Sequence, residues 1–270
     1  MDYQTFEPSR DLSPLVKCYW TLESPMEENP RRQTIVPDGC MEMIFHYGDL
    51  YKQYMSDGLC VVQPRSCVFG QLTRPLEIEP IGETGIFSVR FHPGGFMPFA
   101  TIPIKEMDNK AVALKKLFGN DGTALESAVM HAKTTVEKIN VVESFLSGRL
   151  THETIDRFVQ SAVETILSAN GQISVSLLSG QTNIDRRQLE RRFSSAIGLS
   201  PKQLSKTIRL QATLKLLLAK QYASLTALAY AGAYYDQAHF IRDFKEFTGL
   251  TPKEFYGENL EMSSLFYGTD

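Results

Sequence analysis

Between Leu15 and about Pro93 the apolar residues come in short runs rich in β-branched and aromatic side chains. Residues 15–22, 41–47, 59–62 and 85–91 are four such runs, each of strand length. Turn-forming triplets fall between them: Pro37-Asp38-Gly39, Tyr47-Gly48-Asp49 and Ser56-Asp57-Gly58. Strands this short and this closely spaced predict a small barrel or sandwich. After about Lys105 the period lengthens. Residues 134–146 and 153–167 carry apolar side chains at three- and four-residue intervals, which predicts helices. The stretch Ser147-Gly148-Arg149-Leu150-Thr151-His152 between them reads as a linker. The expected class is α+β: a β-rich barrel or sandwich with trailing helices over 1–150, then an all-α domain over 151–270.

The C-terminal half repeats itself. Arg191-x-Phe193-x4-Gly198-Leu199-Ser200-Pro201 recurs 51 residues later as Arg242-x-Phe244-x4-Gly249-Leu250-Thr251-Pro252. At the same offset Asp185 pairs with Asp236, Leu189 with Phe240 and Leu177 with Leu228. Each piece has a physical task. The aspartates suit helix N-caps, because a carboxylate accepts from orphan amides there. Leu189 and Phe193, like Phe240 and Phe244, lie four apart and share a helix face. Gly198 and Gly249 can enter the left-handed conformation that ends a helix. Ser200-Pro201 and Thr251-Pro252 are a cap followed by a first-turn proline. Each unit thus reads as a helix-turn-helix. Residues 201–219 join them as one helix, which at 1.5 Å per residue is about 28 Å long. Successive major-groove faces of DNA lie roughly 34 Å apart.

Charge supports this picture locally. The whole chain carries a net −3, yet residues 181–220 hold nine basic side chains (Arg186, Arg187, Arg191, Arg192, Lys202, Lys206, Arg209, Lys215, Lys220) against two acidic ones. Such an excess is the footprint of phosphate contact. No apolar run reaches the roughly 18 residues of a membrane span. The N-terminus also lacks the basic start and apolar core of a signal peptide, so the expected location is cytoplasmic with no membrane partner. Cys18, Cys40, Cys60 and Cys67 have no zinc-ligand spacing and are expected to be buried free thiols. His46, His92 and Glu42 include no closely spaced histidine pair, so no metal site is expected there. Asp38 and Arg90 suit turns and strand ends. Trp20, the single tryptophan, suits the core, with the wall of a ligand pocket as the sharper alternative.

The repeat, from about Thr154 to Tyr256, closely resembles the AraC/XylS family of transcription regulators. Leu189-x-Arg191-x-Phe193-x4-Gly198-x-Ser200-Pro201, with Arg209-Leu210 and Leu216-Leu217 following, carries the likeness, as does Asp236-Gln237-Ala238-His239-Phe240-x-Arg242-x-Phe244-Lys245. Three places depart from the family pattern: Leu178-Ser179 for Leu-Ala, Phe193-Ser194 for Phe-Lys, and Ala233-Tyr234 for Gly-Phe at the second turn. The resemblance implies a sequence-specific regulator that binds double-stranded DNA and works with RNA polymerase. It implies recognition helices, the first over about 186–197. There Arg186, Arg187, Glu190 and Arg191 are left to face outward, with Arg187 and Arg191 favoured for base edges. Lys202 and Arg209 lie outside that helix and suit phosphate. In the second unit Gln237, His239 and Arg242 face outward, diluted by Asp243 and Glu246.

The N-terminal half resembles a sensor-like domain of some of these regulators, through Pro37-Asp38-Gly39-Cys40, Phe69-Gly70 and Val89-Arg90-Phe91-His92-Pro93-Gly94-Gly95-Phe96. That likeness implies a small-molecule effector or a homodimer. Leu114, Leu117, Leu125, Val129, Ile139, Val142 and Leu146 are the side chains expected to pair two copies. No motif calls for a cofactor, and the chain is read as a non-enzyme. The alternative is a cysteine-based DNA-damage or redox sensor, or a repair enzyme, carrying the same DNA-binding module.

Overall fold

The computed structural model describes residues 1–55, 58–150, 156–182, 184–219 and 222–255. Part of the expected turn at 56–58, the expected helix start at 153–155 and Lys220 lie outside the described residues. The chain divides into two compact units. The first comprises Met1–Arg32, Cys40–Gln71 and Glu77–Asp156; the second comprises Gln33–Gly39, Leu72–Leu76 and Arg157–Asp270.

The first unit is built on an antiparallel six-stranded sheet. Its strands are β1 (Asp2–Phe6), β2 (Val16–Ser24), β4 (Met41–His46), β7 (Ser66–Phe69), β9 (Thr84–Phe91) and β10 (Ala111–Ala113), in the order β1-β2-β9-β4-β7-β10; β3 (Gln33–Ile35) falls in the second unit. All eight residues of β9 are buried because it lies between β2 and β4. A second sheet runs β8 (Leu76–Pro80), β5 (Tyr51–Tyr54), β6 (Cys60–Val62), again antiparallel. The architecture is therefore two sandwich-like sheets and no single closed barrel.

Alternation along the central strands sorts the two faces of the large sheet. Met43, Phe45, Phe87, Val89, Phe91 and Tyr19 face one core, which α1 (Leu114–Phe118), α2 (Asn120–His131) and α3 (Thr135–Ser147) cover. The opposite face carries Glu42, Ser88, Arg90 and His46. Arg90 donates to Glu42 at 2.9 Å in a largely buried ion pair, and Ser88 donates to the other carboxylate oxygen at 3.3 Å. Arg90, next to last in β9, thus ties the end of that strand to the start of β4, the strand-end role expected of it. The helices correct one expectation: Leu114, Leu117, Leu125, Val129, Val142 and Leu146 are all in the unit's own core, and Ile139 packs against it. An amphipathic helix that covers a sheet has spent its apolar stripe.

The thiols also differ from expectation. Cys67 is buried and Cys18 and Cys40 are half-buried, but Cys60 is exposed. It sits on β6, whose three residues are all exposed at the edge of the small sheet.

The second unit is helical: α4 (Arg157–Ser168), α5 (Val175–Thr182), α6 (Arg186–Ile197), α7 (Pro201–Leu218), α8 (Leu225–Ala231), α9 (Gln237–Thr248) and α10 (Pro252–Phe255). Leu210, Leu214 and Leu217 of α7 pack with Leu228, Tyr234, Phe240, Phe244 and Phe255, and Val36 joins them. After α4 the chain turns through Asn170 (φ 49°) and Gly171 (φ 71°). A Cβ on Gly171 would meet the carbonyl oxygen of Ser205 at 2.1 Å, so the turn lies directly on α7 and only glycine fits.

Candidate DNA interface

The two repeat units fold as the caps predict. Asp185 accepts from the Gln188 amide at 3.0 Å and Asp236 from the His239 amide at 2.7 Å, so each starts its helix. Gly198 (φ 85°) and Gly249 (φ 76°) are left-handed and stop those helices. Ser200 and Gln203 form a reciprocal capping box at the head of α7, with Pro201 in its first turn. Thr251 and Glu254 make the same reciprocal bonds at α10.

In the first unit Leu189, Phe193, Ala196 and Ile197 of α6 are buried. That fixes which side faces out. Arg187 and Arg191, four apart, are both exposed and form no ion pair among the described residues. Arg186 and Glu190 pair with each other at 3.0 Å, with side chains 69% and 46% exposed. A pair so exposed contributes little stability, and its cost of opening is correspondingly small. Arg192, half-buried, lies over the Phe158 ring at 4.9 Å and braces α6 on α4. Lys202 is exposed at the start of α7.

Arg209 stands elsewhere. Its side chain is 18% exposed, donates to Asp243 at 3.2 Å and lies 4.5 Å over the Tyr234 ring. Asp243 is the residue that the sequence pattern misplaced. It was expected on the outward face of α9, but its side chain is 5% exposed and gathers Lys206 at 3.4 Å, Arg209 at 3.2 Å and His239 at 3.4 Å. A polar residue at an inward helical position is the signal that would have found it; the partners that make it tolerable lie more than thirty residues away in α7.

In the second unit Arg242 and Lys245 are exposed. His239 is half-buried between Asp243 and the edge of Tyr234, and Gln237 accepts from the Thr226 hydroxyl at 2.8 Å. These two present only part of their side chains outward.

The repeat also breaks at one point. Leu228 is buried and Leu177 is 56% exposed; the buried equivalent is Leu178. From Leu178 to the cap Asp185 is seven steps, and from Leu228 to Asp236 eight. The second turn is one residue longer, and within it Ala233 takes φ 53°.

Two thiols of the first unit are held in an unreactive form. Burial pushes the Cys18 thiol up to about 11 and that of Cys67 up to about 12, which holds both protonated at neutral pH. Burial pushes His46 down to about 4, and it stacks on Tyr51 at 5.6 Å. Among the described residues no group of three His, Cys, Asp or Glu side chains stands close enough to hold a metal.

Two helix-turn-helix units joined by one helix, with capped entries and bare arginines on the outward face of α6, define a DNA-binding domain. The comparisons agree. Residues 178–257 match the family described as a helix-turn-helix domain. Residues 4–113 match a family described as a domain of unknown function, DUF6597. No curated protein matches the chain. Among solved structures it is similar to ToxT from Vibrio cholerae, at 12% identity over 93% of this chain and 99% of that one, with a TM-score of 0.49. A second ToxT structure, from strain SCE256 and described as bound to an unsaturated fatty acid, is 11% identical over 87% of this chain and 92% of that one, with a TM-score of 0.44. A probable AraC family regulator from Rhodopseudomonas palustris CGA009 is 26% identical over 40% of this chain and 98% of that one, with a TM-score of 0.34. Among the described residues no helix is long and apolar enough to cross a membrane.

Proposed function

We propose that this chain is a sequence-specific transcription regulator that reads double-stranded DNA with both helix-turn-helix units and answers a small molecule through its β-rich unit. The observation that carries this is the exposed couple Arg187 and Arg191 on the outward face of α6, with no ion pair among the described residues. In this reading they reach base edges, where arginine bonds guanine bidentately. Arg186, Glu190 and Lys202 border the same surface, with Lys202 on phosphate. Arg242, Gln237 and His239 form the smaller face of the second unit. Arg209 belongs to the scaffold that fixes α9 on α7. The 18 residues of α7 span about 27 Å, close to the roughly 34 Å groove repeat.

The working division is a sensor and dimerisation domain over 1–150 and a DNA-binding domain over 151–270, acting in the cytoplasm with RNA polymerase. Two copies would meet on a surface other than the buried stripe of α1 to α3. The test is selection of bound fragments from random DNA by the full chain, followed by titration of the enriched duplex against a scrambled one. Failure to enrich any sequence refutes the reading. Effector response is tested by repeating the titration across a metabolite panel, with an unsaturated fatty acid, as bound by ToxT, among the probes.

A further inference from the structure

The extra residue of the second turn can be identified. In both units six steps lead from a buried leucine on the first helix to a buried side chain in the turn: Leu178 to Ile184, and Leu228 to Tyr234. In the first unit the cap Asp185 follows at once. In the second, Tyr235 intervenes before the cap Asp236. Tyr234 takes the inward position, with its ring 5.2 Å from Phe240, and its amide bonds back to the Ala229 carbonyl at 2.9 Å. Tyr235 is left outside, 86% exposed, more so than any other large apolar or aromatic side chain among the described residues.

We infer that Tyr235 is a DNA contact, its phenol donating a hydrogen bond to a backbone phosphate where α9 meets the duplex. This rests on the DNA-binding reading above and deepens it. The inference follows from position. Tyr235 stands one residue outside the N-cap of the second recognition helix, at the rim of the surface and not on the helix face that faces base edges. Helix N-termini and tyrosine hydroxyls are both regular phosphate donors. The neighbouring Asp236 carboxylate is already turned to the His239 amide at 2.7 Å. The ring is 86% exposed, so burial in the fold does not account for its placement. The first unit, lacking the inserted residue, has no equivalent.

A phenol carries no charge, so its contact releases no counterion. That separates it from every lysine and arginine of the interface. The experiment titrates wild type, Tyr235→Phe, Tyr235→Ala and Lys202→Ala against the selected and scrambled duplexes at several salt concentrations, with circular dichroism to show that each variant is folded. Both Tyr235 variants are expected to weaken binding roughly threefold to tenfold on both duplexes, with the salt slope unchanged. Lys202→Ala should shallow that slope by about one ion. If Tyr235→Phe binds as wild type while Tyr235→Ala weakens only the selected duplex, the ring reads a base and the phosphate assignment falls. If both Tyr235 variants bind as wild type, the residue does not touch DNA. A wild-type chain that binds neither duplex overturns the parent reading, and this inference with it. The wild-type arm and the variant arms thus fail separately.

Discussion

Arg209 of α7 donates to Asp243 of α9 at 3.2 Å, across 34 positions of sequence, and that contact sets how α9 sits on the helix joining the two units. The carboxylate is nearly buried and also holds Lys206 and His239. Apolar contacts let two helices slide or roll by small amounts; a carboxylate bonded by Arg209, with Lys206 also at 3.4 Å, fixes the rotation of α9 about its axis. Asp243→Asn should therefore cost about 1–3 kcal/mol, because Arg209 loses its counter-charge in a partly buried site and Lys206 keeps only the exposed Glu246. Urea unfolding followed by circular dichroism measures it. Arg209→Ala should likewise lower stability while leaving the salt slope of DNA binding unchanged, which distinguishes a scaffold residue from a phosphate contact.

Ala233 adopts φ 53° in the second turn, where the family pattern has glycine. An L-residue in that region carries a penalty of roughly 1–2 kcal/mol, partly offset in a comparison with glycine by glycine's greater unfolded freedom. Ala233→Gly should raise stability by about 0.5–1 kcal/mol. A thermal melt that moves downward would show that the methyl group contributes packing, although the residue is exposed.

Arg191 and Lys202 should separate base reading from phosphate holding. Arg191→Ala is expected to cost about 1–3 kcal/mol on the selected duplex and to relax one base position. Lys202→Ala should weaken all sequences alike. Equal weakening of selected and scrambled duplexes by Arg191→Ala would remove the main support for placing α6 in the major groove.

His46 gives the first unit an acid-side weakness. Its folded value, pushed down from 6.5 to about 4 by burial, lies below the unfolded one. As pH falls, the unfolded chain takes up the proton first. Stability is full above about 6.5 and is lost as the pH drops toward about 4, by up to about 3 kcal/mol. Melting curves between pH 4.5 and 7 measure the slope, and His46→Gln should flatten it.

Much of the C-terminal architecture was legible in the chain. Caps, left-handed glycines and first-turn prolines act within a few residues of themselves, so Asp185, Ser200, Gly198 and their counterparts declare their roles locally. The period of the apolar residues placed α3 within a residue, and caps with apolar spacing placed α6 and α7 as closely. The strands β1, β3, β5, β7, β8 and β10 were not seen. Several are short, and an edge strand such as β1, with mostly exposed residues, has no apolar alternation to show. The exposed pair Arg187 and Arg191 followed from Leu189 and Phe193 alone, since burying one helix face exposes the other.

What this sequence determined by itself is whatever depends on neighbours one helical turn away: where helices start and stop, which face of α6 is apolar, and that the unit occurs twice. The tertiary structure decided whatever depends on residues distant in sequence. Asp243 turned inward because α7 brings Lys206 and Arg209 to it. The apolar stripe of α1 to α3 went to the sheet and not to a second copy, because the large sheet presented Phe45, Phe87 and Phe91 on the facing side. Val36 entered the core of the helical unit with Leu210 and Leu214. The side chain chosen to fill the second turn was Tyr234, which left Tyr235 in solvent. Two adjacent tyrosines carry the same local preferences; only the position of Phe240 and the buried floor beneath it distinguishes the one that packs from the one that projects.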